Sequence, residues 1–372
     1  MPFPNLDPIP LPAPVWFFKA LHIVTLSLHF TAVHILIGGL VLATIWNFLG
    51  RRDSSSTFAA SSSALAHRLP IVMTYLINLG IPPLLFAQVL YGRALYTSSV
   101  LIGAYWIAVI FLLMAGYYLL YAVARRDEAG RPWWWLSLLS LALIAYIGRI
   151  YSTNMTLMIR PEVWLEMYRT AGGAHGATMP TGDPTVLPRW LFMMIGSIGF
   201  GGIFAALLGA RSSLSAPMKQ TMRRWGGGLG AASMLAQLAL GFWVWNAQPP
   251  IVRESMLNAP LYRHSLIVWL AVSGLFAIGS GATMLTAVSR SSFWPAATSA
   301  MGILSIAAAV TARDGIRDMT LLAKGFDVWA QPVVSNWSVV ILFLILFAAG
   351  LAVIGWMMTV AAQAKGTVEN HV

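Results

Sequence analysis

A single stretch near the amino terminus constrains this chain more than any other. From Val15 to Leu49 it reads VWFFKALHIVTLSLHFTAVHILIGGLVLATIWNFL. At about 1.5 Å per helical residue, that run is more than enough to cross a bilayer core of about 30 Å. Three histidines, His22, His29 and His34, lie inside it. His22 and His29 are seven residues apart, which puts them on one helical face about 10 Å apart along the axis; His34 points elsewhere. Polar groups at membrane depth cost free energy and mark cofactors, proton paths or packed polar contacts. Each imidazole either hydrogen-bonds a neighbouring helix or serves such a site. Three in one span predict a cofactor or proton role for at least one of them.

The rest of the chain agrees with a membrane setting. Hydrophobic residues make up 58% and charged residues 9% of 372 positions, a composition that excludes a soluble domain of this length and predicts an all-α polytopic membrane protein. With no cysteine, disulfides, thiolate metal sites and covalent c-type heme attachment are excluded. A redox centre here would need His, Met or carboxylate ligands. The net charge of +11 resides largely in loop arginines that orient the chain and meet anionic lipid, so nucleic-acid binding is not implied. The opening MPFPNLDPIPLPAP lacks a basic leader, so no cleavable signal is expected.

Nine spans are expected, at 15–49, 68–92, 99–124, 132–158, 188–210, 226–246, 263–289, 293–312 and 333–361. They form one membrane domain over 1–372, with 1–14, 159–187, 247–262 and 313–332 on the outer side. Pro82-Pro83 should kink the second span or interrupt its hydrogen bonding, and Gly196, Gly199, Gly201 and Gly202 should let the fifth approach a neighbour closely. PEVWLEMYRTAGGAHG reads as an interfacial helix and a turn carrying a loop histidine, His175. Trp133-Trp134-Trp135 reads as an interfacial belt. The even-numbered connections, the tail and Arg68 carry twelve Lys/Arg against four Asp/Glu, and the opposite side carries eleven against eight. This places the N-terminus in the periplasm and the C-terminus in the cytoplasm of a bacterial inner membrane. His22, Arg93, Arg149, Arg160, Arg189, His264 and Arg313 then gather towards the outer face, where the chemistry is expected.

The layout and four segments resemble cytochrome bd oxidase subunit I. SLHFTAVHILIGGLVLATIWNFL resembles the first helix of that family, FAQVLYGRALY its M-E-F-Q-F-G-T-N-W segment, NAQPPIVRE its Q-P-x-K stretch and ARDGIR its E-x-G-R-Q-P-W segment. The resemblance implies a subunit I-like helical bundle and puts His29 on the axial-ligand position of the high-spin b heme, with Gly92, Gln248-Pro249 and Gly315 in register. It also exposes departures. Gln88 and Arg313 stand where the family has glutamates, Phe192 and Val268 where the low-spin heme has its histidine and methionine, and Ile251 where the Q-P motif has lysine. Of the family's ligands, His29 alone carries over, which speaks against ordinary quinol-oxidising, oxygen-reducing activity.

His264 and His22, with nearby methionines, could offer replacement ligands for a b-type heme, and Arg93 and Arg149 would either snorkel to water or clamp its propionates. Gln88 and Arg313 would line the same pocket without ligating. The sequence therefore predicts a membrane subunit of a respiratory electron-transfer complex, passing electrons through heme b held first by His29. Its expected partners are a second, subunit II-like or homologous membrane protein and a periplasmic c-type cytochrome or other redox subunit. Two other readings stand beside it. One is a heme-free scaffold for redox subunits. The other, ranked lower because the chain lacks the intramembrane carboxylates such proteins need, is an ion- or proton-conducting subunit built on the Pro82-Pro83 span.

Overall fold

A computed structural model describes residues 3, 10–170, 175–210, 214–286 and 292–368, with side chains of 358 and 361–368 excepted. Among the described residues, nine helical spans are long and apolar enough to cross a membrane. In order they comprise α1 (Val15–Gly50), a short α2 (Thr57–Ala66) leading into α3 (Leu69–Leu101), α4 (Gly103–Glu128), α5 (Trp134–Leu157), α7 (Val186–Leu208), α8 (Ala216–Asn246), α10 (Pro260–Leu285), α11 (Phe293–Ala323) and α12 (Trp337–Val368). Two short helices, α6 (Trp164–Arg169) and α9 (Pro250–Asn258), lie in the connections on the side where α1 begins, hereafter the N-terminal side. The expected interfacial segment at 161–169 is thus helical, beginning with a 3₁₀ turn at Pro161–Val163, and His175 is exposed. The glycine turn at 171–174, most of the proline-rich opening, residues 287–289 of the expected seventh span and the tail beyond 368 lie outside the described residues.

Glycines bring α1, α7 and α8 into backbone contact. A Cβ on Gly38 would lie 2.7 Å from the Cα of Gly201, and one on Gly202 would lie 2.7 Å from the carbonyl oxygen of Gly226. Gly196 and Gly199 instead make room for the side chains of Gln237 and Ser233, so two glycines of the fifth span let backbones touch and two let a polar side chain lie against the helix. Helices α10 and α11 close the bundle around Phe200, Phe276 and Ile306. Helix α12 is different. Only 6% of its most apolar window is buried, against 22–56% for the other spans, and it touches the bundle mainly near its start, where Val340 is buried and Phe343 meets Phe86 edge-on.

Polar caps tie each end. On the C-terminal side, the Asn47 side-chain oxygen accepts from the backbone N–H groups of both Trp133 and Trp134 at 2.9 Å, fixing the entry to α5. Asp127 accepts from Ser63, Trp133 and His67. Trp133 is therefore completely buried while Trp135 is exposed; the tryptophan triplet is not one belt, because Asn47 and Asp127 hold its first member inside. On the N-terminal side, Leu11 pairs in parallel with Val333. Leu11 N–H donates to Pro332 at 2.8 Å and Val334 N–H to Leu11 at 2.9 Å, so the chain's beginning is strapped to the α11–α12 connection.

Candidate functional site

The polar centre of the molecule lies under that strap, where α1, α3, α10 and α11 meet. Its position depends on how far α11 runs. The eighth span, expected to end at 312, continues as helix through 313–323, so that stretch is not a connection. It ends with Gly325 at a φ of +87° and Phe326 N–H bonded back to the Leu321 carbonyl at 2.9 Å, the reversed termination that glycine permits. The extra three turns carry Asp314, Arg317 and Asp318 inward, where they are 1–4% exposed. Spacings of three and four residues put them on one helical face.

That face receives Lys19 from α1. Its Nζ lies 2.7 Å from Asp314 Oδ2, 2.6 Å from Asp318 Oδ1 and 2.5 Å from the Tyr91 hydroxyl. The Tyr91 hydroxyl in turn directs its one proton at the carboxylates of Asp314 (2.8 Å) and Asp318 (2.9 Å). Tyr91 can reach because α3 leaves helical geometry there, with φ −127° and ψ 17°. The Leu90 carbonyl beside it accepts from Gln331 at 2.8 Å. The distortion expected at Pro82-Pro83 thus falls at Tyr91 in the dihedral angles, and the helix carries on through the prolines. Tyr262 of α10 donates to Asp318 at 2.5 Å, crossing α11 over Gly315, where a Cβ would strike its ring. Trp329 adds an indole N–H at 3.1 Å. Two carboxylates, one ammonium and one guanidinium balance in charge, and nearly every lone pair has a donor. A buried ionic group survives in a low-dielectric site only on those terms.

His22 joins this cluster. Its Nδ1 lies 3.0 Å from the Pro83 carbonyl, and its Nε2 lies 3.3 Å from the Arg317 guanidinium, which also bonds Asp314 and stacks 4.5 Å over the Tyr91 ring. With the carbonyl taking the Nδ1–H and the guanidinium facing Nε2, neither nitrogen is available to iron. His29 is half-buried and faces α3, its Nδ1 3.1 Å from the Leu76 carbonyl and its ring edge over Gly80, whose Cβ would sit 2.9 Å from Cε1. His34 bonds the carbonyl of Phe30 on its own helix at 2.6 Å. His264 is exposed on α10. The histidines of α1 therefore bond three different carbonyls, those of Pro83, Leu76 and Phe30.

The remaining expected site residues scatter as well. Arg149 bonds Thr153 one turn along α5 at 3.2 Å. Gln88 and Arg93 flank the Tyr91 distortion on α3, both half-buried. Arg313 lies 5.8 Å over the ring of Phe30, on α1 beside His29, and does not join the carboxylates. Phe192 packs against Trp269 with ring centroids 5.6 Å apart, and Val268 is 48% exposed. The two positions that the resemblance gives to low-spin heme ligands thus hold a packed aromatic ring and an outward-facing aliphatic. Among the described residues, no group of three or more His, Asp or Glu is placed to hold a metal ion. The two positions that the resemblance gives to low-spin heme ligands carry no donor atom.

The sequence reading missed Lys19, Tyr91, Tyr262, Asp314, Arg317, Asp318 and Trp329; Asp314 and Asp318 are two carboxylates buried within α11, where a connection was expected. A signal was present: D-x-x-x-D with an arginine between, directly after an apolar run, and a lysine inside the first span.

No family model and no curated protein matches the chain. Its fold is similar to a solved structure titled "The structure of bd oxidase from Geobacillus thermodenitrificans", with a TM-score of 0.64 over 93% of this chain and 97% of that one, at 12% identity. The architecture is therefore the bd oxidase subunit I-like bundle that the sequence led us to expect.

Proposed function

We propose that the chain is a membrane subunit of a respiratory electron-transfer complex that acts as a heme-free scaffold, holding redox-active partner subunits at the bilayer without carrying electrons itself. The observation that supports this most is the pair of ligand positions: Phe192 is packed on Trp269 and Val268 faces outward. His22 argues the same way, since the ionic cluster uses its whole ring. The cluster itself reads as a structural bolt. Four helices and the α11–α12 connection meet on Asp314 and Asp318 through bonds of 2.5–3.1 Å, and cross-bonding of this density favours a fixed role over a path for a moving ion.

The partners proposed are a second membrane subunit of similar or subunit II-like type and a redox subunit, such as a c-type cytochrome, on the N-terminal side. That side is assigned to the periplasm by the basic-residue bias. A pyridine hemochrome spectrum of the purified chain, taken beside that of the copurified native complex, tests the reading. The isolated chain should show no b-type band, while the complex contains redox-active partner chains. A stoichiometric b-type band in the isolated chain that disappears in His29→Ala would overturn the scaffold reading in favour of electron transfer through heme b.

A further inference from the structure

The C-terminal end of α4 carries a groove that the ionic cluster and the scaffold reading leave unused. It has a volume of about 520 Å³ and is lined by Tyr118, Tyr121, Ala122, Arg125 and Arg126, which places it among clefts of roughly 300–1,000 Å³ that hold small molecules. Spacings of three and four residues put this set on one face of the helix.

The groove changes character along its length. The apolar part of α4 covers 105–124, twenty residues or about 30 Å of helix, so Arg125 and Arg126 stand where hydrocarbon gives way to headgroups. Tyr121 and Tyr118 lie about 6 and 10 Å deeper along the axis. The aromatic wall is braced from α3: Thr74 bonds the Tyr117 hydroxyl at 2.6 Å, which in turn lies 3.3 Å from the Tyr121 hydroxyl. Arg126 is held in place by donating from Nε to the Pro132 carbonyl at 3.2 Å, with its guanidinium 5.7 Å from the Trp135 ring. The acidic neighbours of the two arginines turn to other partners. Asp127 accepts from Ser63, His67 and Trp133, and Glu128 lies 4.0 Å from His67 Nδ1. Among the described residues neither Arg125 nor Arg126 makes an ion pair, so the mouth of the groove stays cationic.

That order of groups selects an occupant. A soluble anion would meet the guanidiniums and gain nothing from tyrosine rings inside the hydrocarbon. An apolar helix from a partner would suit the rings and strand two cations against it. A phospholipid presents an acyl chain and then a phosphate along the same axis, and two guanidiniums favour one whose headgroup brings no cation of its own.

We propose that this groove binds an anionic phospholipid in the leaflet on the C-terminal side, its phosphate held by Arg125 and Arg126 and an acyl chain lying over Tyr118 and Tyr121. The site stands apart from any heme question and from the scaffold reading.

Native mass spectrometry of the delipidated full chain tests it, with phosphatidylglycerol, phosphatidylcholine or glycerol phosphate added. The wild type should retain phosphatidylglycerol at collision energies that strip phosphatidylcholine, and glycerol phosphate, which has no acyl chain, should not displace it. The Arg125→Gln/Arg126→Gln variant should bind phosphatidylglycerol about tenfold more weakly. Arg52→Gln, at an exposed position on the same side and outside the groove, should bind as the wild type does. If the double variant does not fold, Arg125→Gln, at an exposed position, should alone show a loss of about threefold. Unchanged binding in the double variant, or in Arg125→Gln where the double variant does not fold, overturns the proposal. Equal retention of the two lipids overturns it too, as does an equal loss in Arg52→Gln, which would reduce the effect to general surface charge. Displacement by glycerol phosphate would make the groove a site for soluble anions and overturn the lipid assignment.

Discussion

The ionic cluster on the N-terminal side and the glycine seam between α1, α7 and α8 both fix where helices sit, yet they work in opposite ways. The cluster holds by directional bonds among Lys19, Tyr91, Tyr262, Asp314, Arg317 and Asp318, each group needing its partner present. The seam holds by shape. Gly38 meets Gly201 and Gly202 meets Gly226 so closely that even a methyl group cannot enter. One region fails by subtraction, the other by addition, so a bundle this apolar needs few bonds as long as nothing intrudes on the seam.

Five substitutions break or sharpen that contrast when stability is followed by denaturation in detergent. Lys19→Met should have the largest effect, about 3–5 kcal/mol, because it leaves two buried carboxylates without their cation. Adding Asp318→Asn to it should recover part of the loss; strict additivity of the two would show that the groups are not coupled. Gly201→Ala should cost about 1–3 kcal/mol through overpacking against Gly38 and Gly39, and a neutral result would mean that the seam can open. Tyr262→Phe removes one charge-assisted bond to Asp318 and should cost about 1.5–3 kcal/mol. His29→Ala should cost least, about 1 kcal/mol for one hydrogen bond to a carbonyl, with no change in the visible spectrum. A larger loss accompanied by bleaching would return His29 to the role of iron ligand.

Most of the bundle was legible in hydropathy, because each span is a long apolar run bounded by proline or charge, and the small residues of the fifth span announced their seam. The ends of helices were less legible. Charged residues normally mark the exit from the membrane, and the run ARDGIRD after 312 looks like one; it continues as helix because its carboxylates are neutralised from inside, by a lysine on a distant segment. Pairing at a separation of 295 residues leaves no local pattern to read. The histidines were legible as unusual and their partners were not, since three of the bonds go to backbone carbonyls of Pro83, Leu76 and Phe30, which every residue carries. The break in helical geometry at Tyr91 escaped because neighbouring Pro82 and Pro83 gave the stronger warning in the sequence.

The long reach of Lys19 also has a consequence in time. At about 5–20 residues per second, the ribosome needs roughly 15–60 s to travel from the lysine to the two aspartates, which lie 295 and 299 residues further on. For that interval the first segment waits in the membrane with a cation whose counter-charges do not yet exist. The final assembly of the bundle is therefore timed by synthesis of its eighth span, and a nascent chain halted before Asp314 should remain within reach of the quality-control proteases that a finished one escapes.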